Sequence, residues 1–283
     1  DASGEIDAET CDEYDKHFVV TRQEVDEFIA WFNDNDAYPD YSVPLSILNW
    51  PGNGVNGDYQ FLAPYFDAND DGEYNPNDGD YPKYDIEGNL DCNNDDLIYG
   101  DQTLYWIFND KGNAHSESQG EPIGMEIRSQ TFQFSTNDEV NNMTFHNYVL
   151  INQGTQTLGD TYFGVWVDAD VGTATDDYVG CDVQRGLGYA YNGDAYDETS
   201  SSSAGYLENP PAVGIDFFEG PYQDADEIDN PLTTNFSDAV DSLGIPYEGI
   251  GIGYGDGVID NERFGMRRFD YYNNSGSNLN GEP

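Results

Sequence analysis

Residues 143–168 read MTFHNYVLINQGTQTLGDTYFGVWVD, and this stretch decides the fold class. It holds two runs rich in β-branched and aromatic residues, 143–152 and 161–168, separated by a segment with two glycines. Such runs favour strands, and a glycine-containing connection between them is typical of an antiparallel pair. Because the second run is apolar on both faces, we expect it to be a central strand. The stretch therefore predicts the strongest strand pair of a mainly β protein.

Further strand signals lie on both sides of this pair. Apolar residues alternate at Ile123, Met125 and Ile127 and then continue at Phe132 on the opposite phase, which predicts a β-bulge near 129–131. Several short strands separated by glycine-rich turns predict a β-sandwich, or jelly-roll-like, fold. The other predicted strands are 103–109, 187–191, 213–218 and 264–272.

The N-terminal part of the chain contains one predicted helix. Thr21-Arg-Gln-Glu24 is a capping box, and apolar residues follow it at helical spacing, so we expect a short amphipathic helix there. Residues 1–20 are predicted to be irregular. Residues 34–100 are rich in Asp, Asn, Gly and Pro, which predicts a long loop region.

The domain organisation follows from these patterns. Residues 1–100 are expected to hold the helix and the loop region, packed on a β-sandwich formed by 101–283. The two parts are expected to form one structural unit. Because loops of such length are uncommon within compact domains, the loop region calls for an organising element such as a metal ion.

The sequence DANDDGEYNPND at 67–78 has the spacing of a calcium-binding loop. Such loops supply oxygens from positions one, three, five, seven and twelve, and Gly72 occupies position six, where the chain must turn sharply. The GDYP segment at 79–82 prevents the second helix of an EF-hand, and an acidic turn without an ion is the alternative interpretation. The predicted ligands are Asp67, Asn69, Asp71, the Glu73 carbonyl oxygen and Asp78, with Asp80 as a substitute or supplement.

A second acidic cluster begins at the end of the predicted central strand. Carboxylates crowded at a strand terminus repel one another unless a cation lies between them. Solvated turn residues are the alternative interpretation. The candidate calcium ligands are Asp168, Asp170, Asp176, Asp177 and Asp182.

A third acidic run matches only the second half of a calcium loop. The positions of the first half hold Ile252 and Tyr254, which offer no side-chain ligands, so a plain acidic turn is the favoured interpretation. The sequence thus predicts one bound Ca²⁺ and allows up to three. The candidate ligands of the third run are Asp256, Asp260 and Glu262, and weaker candidates nearby are Asp224, Asp226 and Asp229.

The charge of the chain limits its partners and its compartment. The chain has 56 acidic and 9 basic residues, for a formal net charge of -47 at pH 7. Nucleic acid and anionic membranes are poor partners, because no basic patch can meet their phosphates. Aromatic residues make up 14% of the chain, which favours a folded core over acidic disorder. Since structural calcium loops fill readily outside the cell, we expect an extracellular or cell-surface protein without direct membrane insertion.

The chain has three cysteines, Cys11, Cys92 and Cys181, and none lies in a CxxC pair. In an oxidising compartment, a disulfide between Cys11 and Cys92 would fasten the acidic N-terminal tail to the loop region. Cys181 is then expected to be free and buried as a small apolar side chain. The two other pairings stay open.

Catalytic motifs are missing from the sequence. His17, His115 and His146 lack zinc spacing, and His146 is expected to be packed or hydrogen-bonded within a strand. With 56 acidic residues, a pair of carboxylates at the spacing of a glycosidase site is expected by chance and is not evidence of that activity. The acids cluster in turns with Asn and Gly, which is typical of hard-cation binding and not of a general acid in apolar surroundings. We therefore expect a protein that is not an enzyme.

Eight segments occur in this order: TRQEVDEF, WPGNG, LAPYFDANDDGEYNPNDGDYP, GDQTLYWIFNDKGNAH, DTYFGVWVDADVG, DDYVGCDVQRGLGYAYNGD, PPAVGIDFFEGP and MRRFDYYNN. Together they resemble a family of large Bacteroidota proteins that are exported by the type IX secretion system. The resemblance covers residues from about 11 to 274 of this sequence. It implies a cell-surface or released protein and brings no established activity. Because members of the family usually continue to a C-terminal sorting domain, we expect this chain to be part of a longer protein.

Two functions are consistent with these patterns. The first is a calcium-stabilised, non-catalytic structural or adhesive module of an adhesin, surface layer or filament. Its partners would be calcium and either further copies of itself or other surface proteins and glycans. The alternative is a secreted polysaccharide-binding or hydrolase domain, which an aromatic-lined pocket with a carboxylate pair of perturbed pKa would favour.

Overall fold

The computed structural model describes residues 8–53, 62–84, 97–111, 115–116, 119–159, 161–182, 185–200, 203–223, 227–232, 252–266 and 268–271. The chain divides into two compact units, residues 1–161 and 162–283. Within the described residues, strands outnumber helices and every paired ladder is antiparallel, so the predicted mainly β class is confirmed.

The described helices are short, and the strands run from two to nine residues. The helices are α1 (Ala8–Tyr14), α2 (Arg22–Asn33) and α3 (Leu45–Leu48). The strands are β1 (Phe18–Thr21), β2 (Tyr65–Phe66), β3 (Tyr81–Pro82), β4 (Gln102–Asn109), β5 (Met125–Gln133), β6 (Phe145–Asn152), β7 (Asp177–Asp182), β8 (Leu187–Asn192), β9 (Tyr196–Asp197), β10 (Leu207–Glu208) and β11 (Ala212–Asp216).

The first unit is built on a four-stranded sheet with the order β1-β4-β5-β6. Its edge strand β1 comes from the segment predicted to be irregular, and Phe18 of β1 lies opposite Tyr105 of β4. That prediction is wrong, since α1 and the first three residues of β1 lie within 1–20. Because β1 and β4 share one sheet, residues on both sides of 100 belong to one unit, and the division between the two units falls after residue 161.

Strand β5 runs without the predicted bulge. Its register to β4 is continuous from Gln133 to Glu126. The change of apolar phase has another cause, because Met125 and Ile127 face one side of the sheet while Phe132 faces the other. The two faces of β5 are thus apolar at opposite ends of the strand. In the sequence, this pattern resembles the change of phase that a bulge produces.

Helix α2 begins with the predicted capping box. The Thr21 N–H donates to Glu24 Oε2 at 2.9 Å, and the Glu24 N–H donates to Thr21 Oγ1 at 3.2 Å. Val25 and Phe28 are fully buried on the apolar side of the helix. Val25 joins Phe18 and other residues of the sheet in the core of this unit, so the helix covers one face of the sheet.

Three tyrosine hydroxyls attach the loop region of this unit to its core. Tyr74 donates to the Ile47 carbonyl oxygen at 2.7 Å, and Tyr105 donates to the Leu62 carbonyl oxygen at 2.9 Å. Tyr84 donates to the carbonyl oxygen of Val20 in β1 at 3.1 Å. Burial raises the pKa of all three tyrosines, because the charged phenolate is disfavoured away from water.

The second unit contains a three-stranded sheet with the order β11-β8-β7 and the short pair β9-β10. Strands β8 and β11 match predicted strands, whereas β7 was not predicted. The predicted central strand 161–168 is wrong, because this segment forms no strand and its Trp166 side chain is 68% exposed. The prediction of a strand at 264–272 also fails for the described residues of that range. An apolar run shows a tendency to pair but does not identify its partner strand.

Candidate metal centres

The side chain of Asp67 closes the predicted calcium loop. Its Oδ2 accepts the Gly72 N–H at 2.8 Å, and its Oδ1 accepts the Asp71 N–H at 3.2 Å. The hydrogen bond from Gly72 is the main reason that the pKa of Asp67 lies below its ordinary value. Gly72 has φ 77°, a left-handed backbone that favours glycine at the sharp turn.

The side chains of Asn69 and Asp71 accept hydrogen bonds from backbone N–H groups of the same loop. The Asp71 N–H donates to Asn69 Oδ1 at 3.1 Å as well as to Asp67, so both side-chain oxygens meet at one amide. Asp71 Oδ1 in turn accepts the Glu73 N–H at 2.8 Å. The structure therefore brings together the predicted ligands at loop positions one, three and five.

Asp78, at loop position twelve, has a different contact. It lies in a short 3₁₀ helix, Pro76–Asp78, and its Oδ2 accepts from Asn75 Nδ2 at 2.5 Å. Nearby, Asn53 Nδ2 donates to the Gly72 carbonyl oxygen at 3.5 Å, while Asn53 Oδ1 is buried without a hydrogen-bond partner. Asn53 lies well before the motif in the sequence, so loop spacing could not have identified it.

Asp80 holds the two ends of the loop together. It is fully buried, and its carboxylate accepts the N–H groups of Ala68 and Asn75, both at 2.8 Å. Burial raises the pKa of Asp80 above its ordinary value, and the two backbone hydrogen bonds oppose that shift. Both oxygens already accept a hydrogen bond, which favours a clamping role over the predicted role as an extra ligand.

The second acidic cluster lies in the second unit, and the structure separates its members. Asp168 and Asp170 are exposed, and Asp182 lies at the far end of β7 from Asp177. Asp182 forms an ion pair with Arg185, so it does not join the others.

Asp176 and Asp177 are the members of this cluster with buried oxygens. The Oδ1 atom of each is buried without a hydrogen-bond partner, while Asp177 Oδ2 accepts the Val171 N–H at 2.8 Å. Burial is the main cause that raises the pKa of Asp177, and the charges of neighbouring aspartates, among them Asp176 and Asp170, add to it.

The third acidic run is completed by a residue that the sequence analysis ranked as weak. Asp229 accepts the Gly255 N–H through Oδ1 at 2.7 Å and the Gly257 N–H through Oδ2 at 2.8 Å. It thus supplies a carboxylate near the half-loop whose own first positions have no side-chain ligands. Asp224 and Asp226 lie outside the described residues.

The predicted ligands of the third run bond to neighbouring polar groups. Asn261 Nδ2 donates to Asp256 Oδ2 at 3.0 Å and lowers the pKa of Asp256. Glu262 is 2% exposed and accepts the Asn230 N–H at 2.5 Å. Asp260 Oδ1 accepts a backbone N–H at 2.8 Å. These bonds give the three carboxylates a structural role, and a calcium ion at this run stays a prediction.

Carboxylates alone do not form a metal site in the part of the chain that the structure describes. No group of three or more His, Cys, Asp or Glu side chains is gathered there with the geometry to hold an ion. Calcium loops commonly use amide and carbonyl oxygens as well as carboxylates.

The cysteines and His146 have unremarkable surroundings. Cys11 and Cys181 are free and half-buried, so Cys181 is less buried than predicted. The predicted disulfide from Cys11 gains no support, and its partner Cys92 lies outside the described residues. His146 Nδ1 lies 2.9 Å from Thr131 Oγ1 on the neighbouring strand, which confirms the prediction of a hydrogen-bonded strand histidine.

Comparison with known proteins adds no assignment. No protein-family model, curated protein or solved structure matches this chain. Across the described residues, none of the helices combines the length and apolar character needed to span a bilayer. The chemistry of the candidate sites therefore has to support any functional conclusion.

Proposed function

We propose that this chain is a calcium-stabilised, non-catalytic module of an extracellular or cell-surface protein with a structural or adhesive role. One observation carries the proposal: in the loop at 67–78, the side-chain oxygens of Asp67 and Asn69 meet at the N–H of Asp71. Side-chain oxygens that converge within one loop are the hard ligands that Ca²⁺ prefers, which supports the proposal. The Glu73 carbonyl oxygen and Asp78 would complete the ligand set.

The charge of the chain supports the same conclusion. A net charge of -47 makes the folded state repel itself, and bound divalent cations relieve that repulsion. Extracellular calcium is abundant enough to fill weak sites of this kind. The resemblance to exported Bacteroidota proteins accords with this location, and we retain type IX secretion as part of the proposal.

Exposed apolar side chains favour a module that works in contact with other molecules. One face of the sheet in the first unit exposes Val19 by 42%, Phe108 by 44% and Tyr148 by 44%. These residues lie on the same side because their strands pair in register. Clustered exposed apolar surface is typical of interaction sites. The partners that we propose are further copies of the chain, other surface proteins or glycans, and the finer fold is a β-sandwich.

The carboxyl groups with raised pKa argue for structure over catalysis. Asp80 accepts two backbone N–H groups, and Asp177 accepts one. A general acid needs a protonated oxygen that faces substrate, whereas the hydrogen-bonded oxygens of both residues accept from backbone N–H groups of the chain itself. No specific contact favours the alternative of a secreted polysaccharide-binding or hydrolase domain.

The first prediction tests calcium at the loop with two variants of equal charge. Asp71→Asn removes a carboxylate at loop position five, whereas Asp70→Asn removes one at position four, which supplies no ligand. Asp70 has φ 60°, a conformation that asparagine tolerates. Isothermal titration with CaCl₂ should show an affinity loss of about tenfold or more for Asp71→Asn and little change for Asp70→Asn.

A second measurement, the Tm with and without a chelator, completes the test of the proposal. Chelation should lower the Tm of the wild-type chain, because calcium binds the folded state preferentially. An unchanged Tm with and without chelator, together with equal titrations for both variants, would refute calcium at this loop. A screen of the chain against polysaccharides and peptides tests the hydrolase alternative, which turnover abolished by one carboxylate substitution would favour.

A further inference from the structure

We propose that Asp176, Asp177 and Asn192 form a separate calcium site in the second unit. This inference extends the proposed calcium-stabilised module, but it uses residues and observations independent of the loop at 67–78. Asn192 belongs to none of the acidic motifs of the sequence. It lies at the end of β8, outside the acidic cluster in the sequence.

Three buried oxygens carry the proposal. Asp176 Oδ1, Asp177 Oδ1 and Asn192 Oδ1 are all buried, and none has a hydrogen-bond partner. Nearly all buried polar atoms in folded proteins are partnered, so three orphaned acceptors in one place need an explanation. All three are acceptors, and one cation satisfies several acceptors at once.

The pairing of β7 with β8 brings these side chains together. Asp177 lies directly opposite Asn192 in the antiparallel register. Opposite residues project from the same face with Cβ atoms about 5 Å apart, so the side chains of Asn192 and Asp177 leave the same face of the strand pair. The N–H of Gly193 also donates to the Asp176 carbonyl oxygen at 2.8 Å, which fixes Asp176 beside the same strand end.

The orientation of the Asn192 side chain is set by a second bond. Asn192 is only 6% exposed, and its Nδ2 donates to the Asp194 carbonyl oxygen at 3.2 Å. With the amide nitrogen held there, Oδ1 is left as the free acceptor. A deeply buried amide oxygen opposite a buried carboxylate is a suitable partial ligand set for a hard cation.

The buried aspartate Asp197 already accepts two hydrogen bonds. Asp197 is fully buried and accepts the N–H groups of Thr173 at 3.1 Å and Tyr206 at 2.7 Å. It therefore stabilises the surrounding backbone and leaves Asp176 and Asp177 as the carboxylates available to an ion. The exposed side chain of Asp170 lies in the same region, and its negative charge helps to attract a cation.

The donor set indicates which cation would bind. Two carboxylates and one amide offer oxygen only, which excludes soft metals that prefer sulfur or imidazole. Mg²⁺ demands near-ideal octahedral geometry, whereas Ca²⁺ accepts irregular sets of six to eight oxygens and completes them with water. A set of three protein oxygens on two strands and a turn therefore suits Ca²⁺.

Asp182 provides a matched control on the same strand. It lies at the opposite end of β7, about 17 Å from Asp177 at 3.3–3.4 Å per residue, and it pairs with Arg185. Asp177→Asn and Asp182→Asn make the same chemical change on one strand. Only the first should affect calcium binding in this unit.

The experiment is a calcium titration of the whole chain after removal of metal by a chelator. Asp177→Asn should bind one Ca²⁺ fewer per chain than wild type, and Asp182→Asn should bind the same number as wild type. Asp71→Asn should remove a different ion, and the double variant Asp71→Asn with Asp177→Asn should lose both. Equal stoichiometry and affinity within twofold for Asp177→Asn and wild type would overturn the inference.

A gain-of-charge variant covers the case in which Asp177→Asn fails to fold. Asn192→Asp places a third carboxylate at the site, so calcium affinity should rise by about tenfold and calcium should raise the Tm of this variant more than that of wild type. If Asn192→Asp lowers the Tm equally with and without calcium, no ion lies there. Because Asp71 and Asp177 are tested by separate variants, a negative result for the Asp177 site does not contradict calcium at the loop 67–78. A negative result for the loop likewise does not contradict the Asp177 site.

Discussion

At the end of the predicted calcium loop, Gly79 takes a backbone conformation that side chains rarely adopt. Its φ is 104°, and a Cβ atom added there would lie 2.6 Å from the Phe32 ring of α2. The loop can therefore approach the helix closely only because this position has no side chain.

Gly79→Ala should lower the free energy of unfolding by about 1–3 kcal/mol, because alanine is strained at this φ. Gly159→Ala is the matched control, since an added Cβ there meets nothing within 4 Å. The control should be neutral or slightly stabilising, because alanine reduces the freedom of the unfolded chain. Urea denaturation of both variants measures the difference, and equal changes would contradict the role given to Gly79.

At the level of elements, the buried tyrosines connect loops to strands that are distant in the sequence. Tyr84 is 4% exposed, and its hydroxyl reaches the Val20 carbonyl oxygen in β1. Since burial raises the pKa of Tyr84 above its ordinary value of 10.0, the folded state keeps this proton at a pH where the unfolded chain loses it. The resulting stability is present below pH 10 and is lost as the pH rises beyond it.

Tyr84→Phe should lower the free energy of unfolding at neutral pH by roughly 1–3 kcal/mol, because a buried carbonyl oxygen loses its partner. The same variant should lose less stability than wild type between pH 8 and about pH 11, because one raised pKa is removed. Tyr38→Phe is the control, since Tyr38 is 45% exposed. Urea denaturation at both pH values checks the prediction, which fails if both variants follow the wild-type pH profile.

The elements also show where sequence reasoning succeeds and where it ends. The capping box of α2 and the strands β4, β6, β8 and β11 were predictable, because each depends on a local pattern of a few residues. The failures concern partner choice. The apolar run 161–168 looked like a central strand paired with β6, yet it forms no strand, and β6 pairs with β5 alone among the described strands. Local patterns cannot show which partner a strand takes.

The candidate sites follow the same rule. Asp67, Asn69 and Asp71 could be named from spacing alone, because a loop ligand set is contiguous in the sequence. Asn192 could not, since it reaches its acidic neighbours only through strand register. Asp229 was named only as a weak candidate, because its contact with the half-loop joins segments that are distant in the sequence. Asp182 was named for its proximity in the sequence, but the length of β7 carries it away from Asp177.

At the scale of the whole molecule, the division into two units falls beside an exposed apolar segment. The first residues of the second unit include Tyr162, 82% exposed, and Trp166, 68% exposed. This segment has no strand pairing to protect its backbone, so a protease can reach it.

Within the described residues, chymotrypsin should cut first at 162–166 and release the two units, because it cleaves after exposed aromatic residues. Trypsin is the control, since the segment 161–168 contains neither lysine nor arginine. Mass spectrometry of brief digests in calcium locates the cuts. First cuts inside β5 or β8 would show that the segment is protected.

The clamp formed by Asp80 has a consequence for how a bound ion would be used. Its carboxylate fixes both ends of the loop through bonds to Ala68 and Asn75, so the shape of the loop is set by the protein itself. A loop whose shape is set in this way moves little when an ion enters, whereas calcium sensors transmit a signal by opening a helix pair. The loop is therefore suited to stabilise the fold, and changes in calcium level would alter the stability of the protein without transmitting a signal.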